Sequence, residues 1–552
     1  MNSSTANNAL AFVGGRIYTV NESTPWVTAF VVAPSGRFAK LGNDEEILAE
    51  ARKQHLVVHD LRGRFVMPGI HDAHTHLLSA SLQKLSESAI GIDADDQSLA
   101  KKIKEGSCAC AYAHAWGDWI ISNFYSASSF PDQRPDRKYL DKQFPDQPVI
   151  VRDISCHNIL MNTEGLKRAG YDLSETQDPP GGRYVRREDG EMTGELVESA
   201  STKAWLNLPP LALAHAKRAI LFGMRMSLRF GITSCQEASA NSIYLAALRE
   251  LEEERLLTMN IHTHIVYGPE NFALERKQDL HALLDNAQSF ESQHVHTNFV
   301  KFWLDGAPLP PHFTQCDLDG CGKPDTNKLL IDQETLLYAL KKYDRKGMTC
   351  KLHCAGEGSV RQALDVISSV RREHPDGPQH ELAHCNAIHQ DDIQRLVELR
   401  VTAEMSPAIF HEQELVSAYP NIFKWPFREV LDSGGRMTIG SDWILPPTPS
   451  LFPSLAAIVD RLGNANGVGG PQPDADARRR GGELLCKIIT LGGAEAVGRA
   501  HEVGSIVPGK RANFIVVDRD LSRGEFDGAE VLQTWFEGRL VWTKDMAVSP
   551  KL

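Results

Sequence analysis

Two histidines separated by one residue, His74-Thr75-His76, are the part of the chain with the clearest chemical potential. In an extended segment, side chains two apart project to the same side, so both imidazoles can meet one divalent ion. Four further residues of ligating or proton-transferring type end or lie late in short apolar runs. They are Lys301 in NFVKFW, His353 in MTCKLHC, His384 in HELAHC and Asp442 in RMTIGSD. Alone, each has an ordinary explanation: a buried histidine is commonly a core residue, and a lysine after Val300 can snorkel. An aspartate after Gly-Ser is commonly a turn or cap residue. Together they match a metal centre that activates water, provided something brings the run ends to one place.

A barrel would do so. Eight candidate strands run along the middle of the chain: RFVMPGIHDA, GITSCQE, NIHTHIVYG, NFVKFW, MTCKLHC, HELAHC, VTAEMS and RMTIGSD. Helix-period stretches such as YLAALRELEEERLL and SVRQALDVISSVRRE lie between them. That alternation predicts an α/β protein with a TIM-like (β/α)8 barrel, whose chemistry gathers at the carboxyl ends of the strands. The glycine-punctuated ends, AFVGGRIYTV with WVTAFVVAP and GSIVPGKRANFIVVDRDL with EVLQTWFEGRLVWT, read as β-structure. Isolated hairpins are marginal in water, so both termini are expected to build one small β-sandwich domain. The expected boundaries are 1–63 and 501–552 for the sandwich and 64–500 for the barrel. Roughly 150 residues separate the first two strands, too many for a loop. An inserted subdomain is therefore expected over about residues 80–215.

The segment FVMPGIHDAHTHL resembles the opening motif of the amidohydrolase superfamily, and the order His-x-His, Lys, His, His, Asp is similar to its binuclear pattern. VKFWLDGA around Lys301, HNILMNTEGLKRAGYD from His157 and DPPGGRYVRREDGEMTGELVESA from Asp178 resemble the amidohydrolase-3, or YtcJ-like, branch. The resemblance implies that His74, His76 and Asp442 bind one metal and His353 and His384 the other, with Lys301 carboxylated and bridging both. Zn2+, one or two ions per chain, suits imidazole and carboxylate donors, and a carbamate on Lys301 replaces a repelled ammonium with an anion. Asp442 would take a proton from water and return it to the departing nitrogen. The implied activity is hydrolysis of a non-peptide C–N bond in a small molecule of the N-substituted amide or formamide type. A cyclic amide hydrolase, a deaminase, a non-hydrolytic decarboxylase and an inactive scaffold remain as other readings. His157, Asn158, Trp303, Glu357 and Trp443 are the candidate substrate-pocket residues, and His71 is read as supporting the motif. The chain departs from the branch after His353, where Cys354-Ala355-Gly356-Glu357 replaces a small-residue-Gly-Asp run, and after His384, where Cys385-Asn386 follows. Both departures bear on the substrate.

Bulk properties narrow the partners. A formal charge of −12 argues against nucleic acid, which calls for a concentrated basic face. No apolar run is long enough to span a bilayer, and the N-terminus lacks the basic-then-apolar plan of a secretory signal. Ten cysteines without a small-domain framework suggest reduced thiols and a cytoplasmic setting. Cys108/Cys110 and Cys316/Cys321 lack a companion pair at zinc-site spacing. The expected partner is a small-molecule substrate, with no nucleic acid and no membrane, and a homo-oligomer is left open.

Overall fold

The computed structural model describes residues 9–106, 115–406, 413–463 and 475–545. At its centre is an eight-stranded sheet whose strands we number in chain order. They are β1 (Ile70–Thr75), β2 (Ile232–Ala240), β3 (Asn260–Gly268), β4 (Val295–Trp303), β5 (Thr349–Cys354), β6 (Glu381–His384), β7 (Thr402–Met405) and β8 (Arg436–Ile439). Each pairs in parallel with the next. The seam between β8 and β1 is joined where Thr75 bridges Trp443 and the Asp442 amide donates to the His74 carbonyl at 2.8 Å. This is the α/β barrel that the strand alternation predicts. Its helices bury one stripe each: Leu336, Ala339, Leu340 and Tyr343 recur at helical spacing along Gln333–Arg345. Asp332 caps that helix by accepting from the Thr335 amide.

The run RFVMPGIHDA, read from sequence as one strand, serves two sheets. Phe65–Pro68 pairs antiparallel with Phe514–Val517 from the C-terminal segment, while Ile70–Thr75 enters the barrel. Gly69 is the joint, and a Cβ there would stand 2.2 Å from the Thr233 hydroxyl. The six-stranded sheet containing Phe65–Pro68 thus draws strands from both ends of the chain, and a four-stranded N-terminal sheet lies beside it. Phe12, Phe30, Phe38, Phe514 and Trp535 form the core shared by these sheets. Between β1 and β2 lies another six-stranded sheet, which includes Val149–Asp153, Ile159–Met161 and Met192–Glu198. One face of it has its own core, with Tyr125, Phe130, Phe144, Val151 and Leu160. Ile121, Ile150, Ile159 and Met161 instead join the main barrel core. No helix among the described residues is long and apolar enough to cross a membrane. Cys108 and Cys110 lie outside the described residues, whereas Cys316 is buried and Cys321 exposed.

Candidate metal centre

His74 lies near the end of β1, and His76 follows it as the chain leaves the barrel. Asp442 follows β8 across the seam, so closure of the barrel brings it to them. Donor atoms of His74, His76 and Asp442 lie within 4.8 Å of one another. The His76 Nε2–Asp442 Oδ1 distance is 3.4 Å and that from His74 Nε2 is 3.9 Å. Beyond His74 the imidazoles continue as a row. His384 is 4.6 Å away between ring centroids, and His353 lies 4.4 Å beyond His384. His384 ends β6 at φ 73° and Asp442 adopts φ 47°, both in the left-handed region, so each departs from strand alternation where it turns into the site.

The tautomer of His74 follows from a partner that the sequence alone did not reveal. Glu404, inside β7, places Oε2 2.7 Å from His74 Nδ1. A carboxylate accepts there, so Nδ1 carries the hydrogen and Nε2 presents its lone pair to the site. His76 Nδ1 similarly lies 2.9 Å from the Ser239 hydroxyl. Both ring nitrogens of His353 are buried without a hydrogen-bond partner. Burial, then the nearby His384, His157 and Lys301, keep His353 neutral far below the usual imidazole range. Asp442 is the opposite case. Burial would raise its carboxyl, but hydrogen bonding from His76 and the nearby His384, His76 and Lys301 hold it down to about 2.

Lys301 and Lys351 are register partners on β4 and β5, and both are fully buried. They are treated very differently. Lys351 reaches across the barrel to the Ala73 carbonyl (2.6 Å) and to Gln236, and it pairs with Glu381 at 2.9 Å. Lys301 has no ion pair among the described residues; its Nζ lies 3.4 Å from His74 Nε2 and 4.6 Å over the Trp303 ring. Burial, then the Lys351 charge, lower its pKa below the ordinary lysine range, which favours the free amine that carboxylation needs. An unpaired buried lysine among neutral imidazoles fits conversion to a carbamate, and orphaned ring nitrogens fit ligands awaiting an ion. The donor set is nitrogen and oxygen throughout, which suits zinc and related divalent ions.

The cavity over this row is lined by His76, His157, Trp303, His353, His384 and Asp442. It is also lined by Arg152, Trp205, Phe272 and Leu309, which nothing in the sequence singles out. Phe272 stacks on Trp303 at 4.5 Å, forming an aromatic wall. His157 is held by Glu198, whose carboxylate oxygens lie 2.9 and 3.1 Å from Nδ1. Three of the proposed pocket residues do not line the cavity. Asn158 spends its amide on Asp153 (2.7 Å) and on the Glu198 backbone (3.1 Å), so it shapes the turn that carries His157. Glu357 opens the helix after β5 and pairs with Lys424 at 2.8 Å. Trp443 is 1% exposed and packs in the barrel core, because the turn at Asp442 sends the next side chain inward. Asp305, which also follows a strand end, accepts from the Cys316, Ala355 and Gly356 amides and the Ser359 hydroxyl, clamping the loop after β4 to the end of β5. His71 is a core residue held by Ser234 at 2.9 Å.

Comparison with known proteins gives this geometry a lineage. The sequence model of the Amidohydrolase family matches residues 57–542. The chain is 25% identical to an N-substituted formamide deformylase of Arthrobacter pascens over 96% of its own length and 98% of the relative's. It is 23% identical to the putative amidohydrolase YtcJ of Bacillus subtilis (strain 168), over 96% and 99%. Among solved structures, an uncharacterized metal-dependent hydrolase from Pyrococcus horikoshii OT3 superposes with a TM-score of 0.70 at 19% identity, covering 94% of this chain and 99% of that one.

Proposed function

The chain belongs to the amidohydrolase family, hydrolases of carbon–nitrogen bonds other than peptide bonds, and on that footing we propose that it cleaves N-substituted amides or formamides of small molecules. The observation that carries this reading is the convergence of His74, His76, His353, His384, Lys301 and Asp442 at one end of the barrel beneath a lined cavity. His74, His76 and Asp442 would hold one divalent ion and His353 and His384 a second, with Lys301, if carboxylated, as a further ligand. Such ions supply Lewis acidity and make water a nucleophile near neutral pH.

The chain's own groups account for the rest of the chemistry. Glu404 and Ser239 fix the orientation of His74 and His76. Asp442, ionised and within reach of both, takes the proton from the attacking water and returns it to the departing nitrogen, because an amine leaves readily only when protonated. The Phe272–Trp303 wall supplies an apolar face for the substituent on nitrogen. The 25% identity to a formamide deformylase supports the formyl group as the acyl portion. Release of butylamine from N-butylformamide tests the reading: zinc-loaded protein should release it and chelator-treated protein should not. No amine from either preparation would reject it.

A further inference from the structure

Among the described residues lining the cavity there is one lysine or arginine, Arg152, on the inserted strand Val149–Asp153. Its side chain is only 9% exposed. Nε donates to Glu87 Oε2 at 3.3 Å and Nη2 to Glu87 Oε1 at 3.1 Å, so one edge of the guanidinium is committed. One face is also covered, with the guanidinium carbon 4.3 Å from the Trp205 ring centroid. Nη1 has no partner among the described residues, which leaves the second edge, Nη1 with the remaining Nη2 hydrogen, without an acceptor. Glu87 is 1% exposed and fixes the plane of the fork, so little ordering remains when an acceptor arrives. The sole carboxylate among the described residues lining the cavity is Asp442, which is engaged with His76 and His74.

The free donor edge faces the cavity, and charge-assisted pairing with a planar oxyanion fills such a fork best. We propose that Arg152 recognises a carboxylate on the substrate away from the scissile bond, so that the preferred substrates are N-substituted amides bearing one such group. This deepens the hydrolase reading of the same cavity and rests on it for the identity of the scissile bond. An ion pair that only tied the insertion together would leave no need for an open fork at the cavity wall.

Calorimetry on the zinc-loaded full-length protein with 3-phenylpropionate and with 3-phenylpropan-1-ol, neither of which can be hydrolysed, separates these roles. The acid should bind at least about tenfold more tightly than the alcohol. Arg152→Lys can keep a charge beside Glu87 but has no second edge. It should cost the acid about tenfold or more in affinity and leave the alcohol within about twofold. If that variant fails to fold, the pair Arg152→Gln with Glu87→Gln removes both charges together and should give the same selective loss. Equal affinity for acid and alcohol in the native protein would overturn the proposal, as would unchanged acid affinity in the variants. Amine release from N-butylformamide is read separately, so a failure to hydrolyse that amide leaves the binding test of Arg152 intact.

Discussion

At the scale of single residues, the site depends as much on how ligands are held as on which residues they are. Glu404 fixes the hydrogen of His74 on Nδ1, so Glu404→Gln should lower metal affinity by about 10–100-fold while the fold survives, as measured by competition with a chromogenic chelator. Lys301→Ala should abolish amide hydrolysis, and short carboxylates such as propionate should restore part of it by replacing the carbamate. Undiminished hydrolysis in that variant would remove the bridging role. Asp442→Asn retains an oxygen donor but cannot shuttle a proton, and turnover should fall by about 10²–10⁴ at unchanged thermal stability. The candidate ligands were legible because each ends or lies late in an apolar run at the same end of its strand. Glu404 was not. VTAEMS carries its glutamate at an inward position, but an inward carboxylate and a solvated one look alike until the neighbouring histidine is known.

At the scale of elements, the barrel floor beneath the site is polar and cross-braced. Lys351 ties β5 to the Ala73 carbonyl of β1 and pairs with Glu381 of β6. Lys351→Met should destabilise by about 3–5 kcal/mol, because it leaves a buried carboxylate alone, and adding Glu381→Leu should recover much of the loss. Denaturant melts of the single and double variants measure the difference. The eight strands were readable from sequence because strands of a parallel sheet, buried on both faces, leave near-continuous apolar runs. Side-chain directions just beyond the strands were not readable. The left-handed turns at His384 and Asp442 break the period, which is why Trp443 packs inward and Ile444 and Leu445 reach the cavity in its place. Glu357 lies outside the cavity lining for a related reason: it begins a helix rather than continuing the strand end.

At the scale of the whole molecule, the terminal sheets and the barrel are joined by Glu537. It meets His294, next to the start of β4, at 3.4 Å, and it also pairs with Arg511. Burial would raise its carboxyl, but His294 and Arg511 hold it down to about 2. A carboxyl depressed in the folded state adds stability that is present above its unfolded pKa of about 4.3 and is lost as pH falls through the folded value. Stability should therefore drop between about pH 4.5 and pH 2. Glu537→Gln should remove about 2 kcal/mol at neutral pH and flatten that part of the acid profile, as measured by urea melts across the range. The assembly of one sheet from both termini was legible in the matching glycine-punctuated ends. The ion pairs that fasten it to the barrel, between residues far apart in sequence, were not.

A pair of metal ions held by His74, His76, His353, His384, Asp442 and a carboxylated Lys301 is the centre of the proposed chemistry. Anomalous diffraction at the zinc edge, from crystals grown with zinc and bicarbonate, tests that arrangement most directly. Two anomalous peaks should appear, one beside His74, His76 and Asp442 and one beside His353 and His384, with carbamate density on Lys301 reaching both. A site without anomalous signal, or a free Lys301 amine between two bound ions, would contradict it.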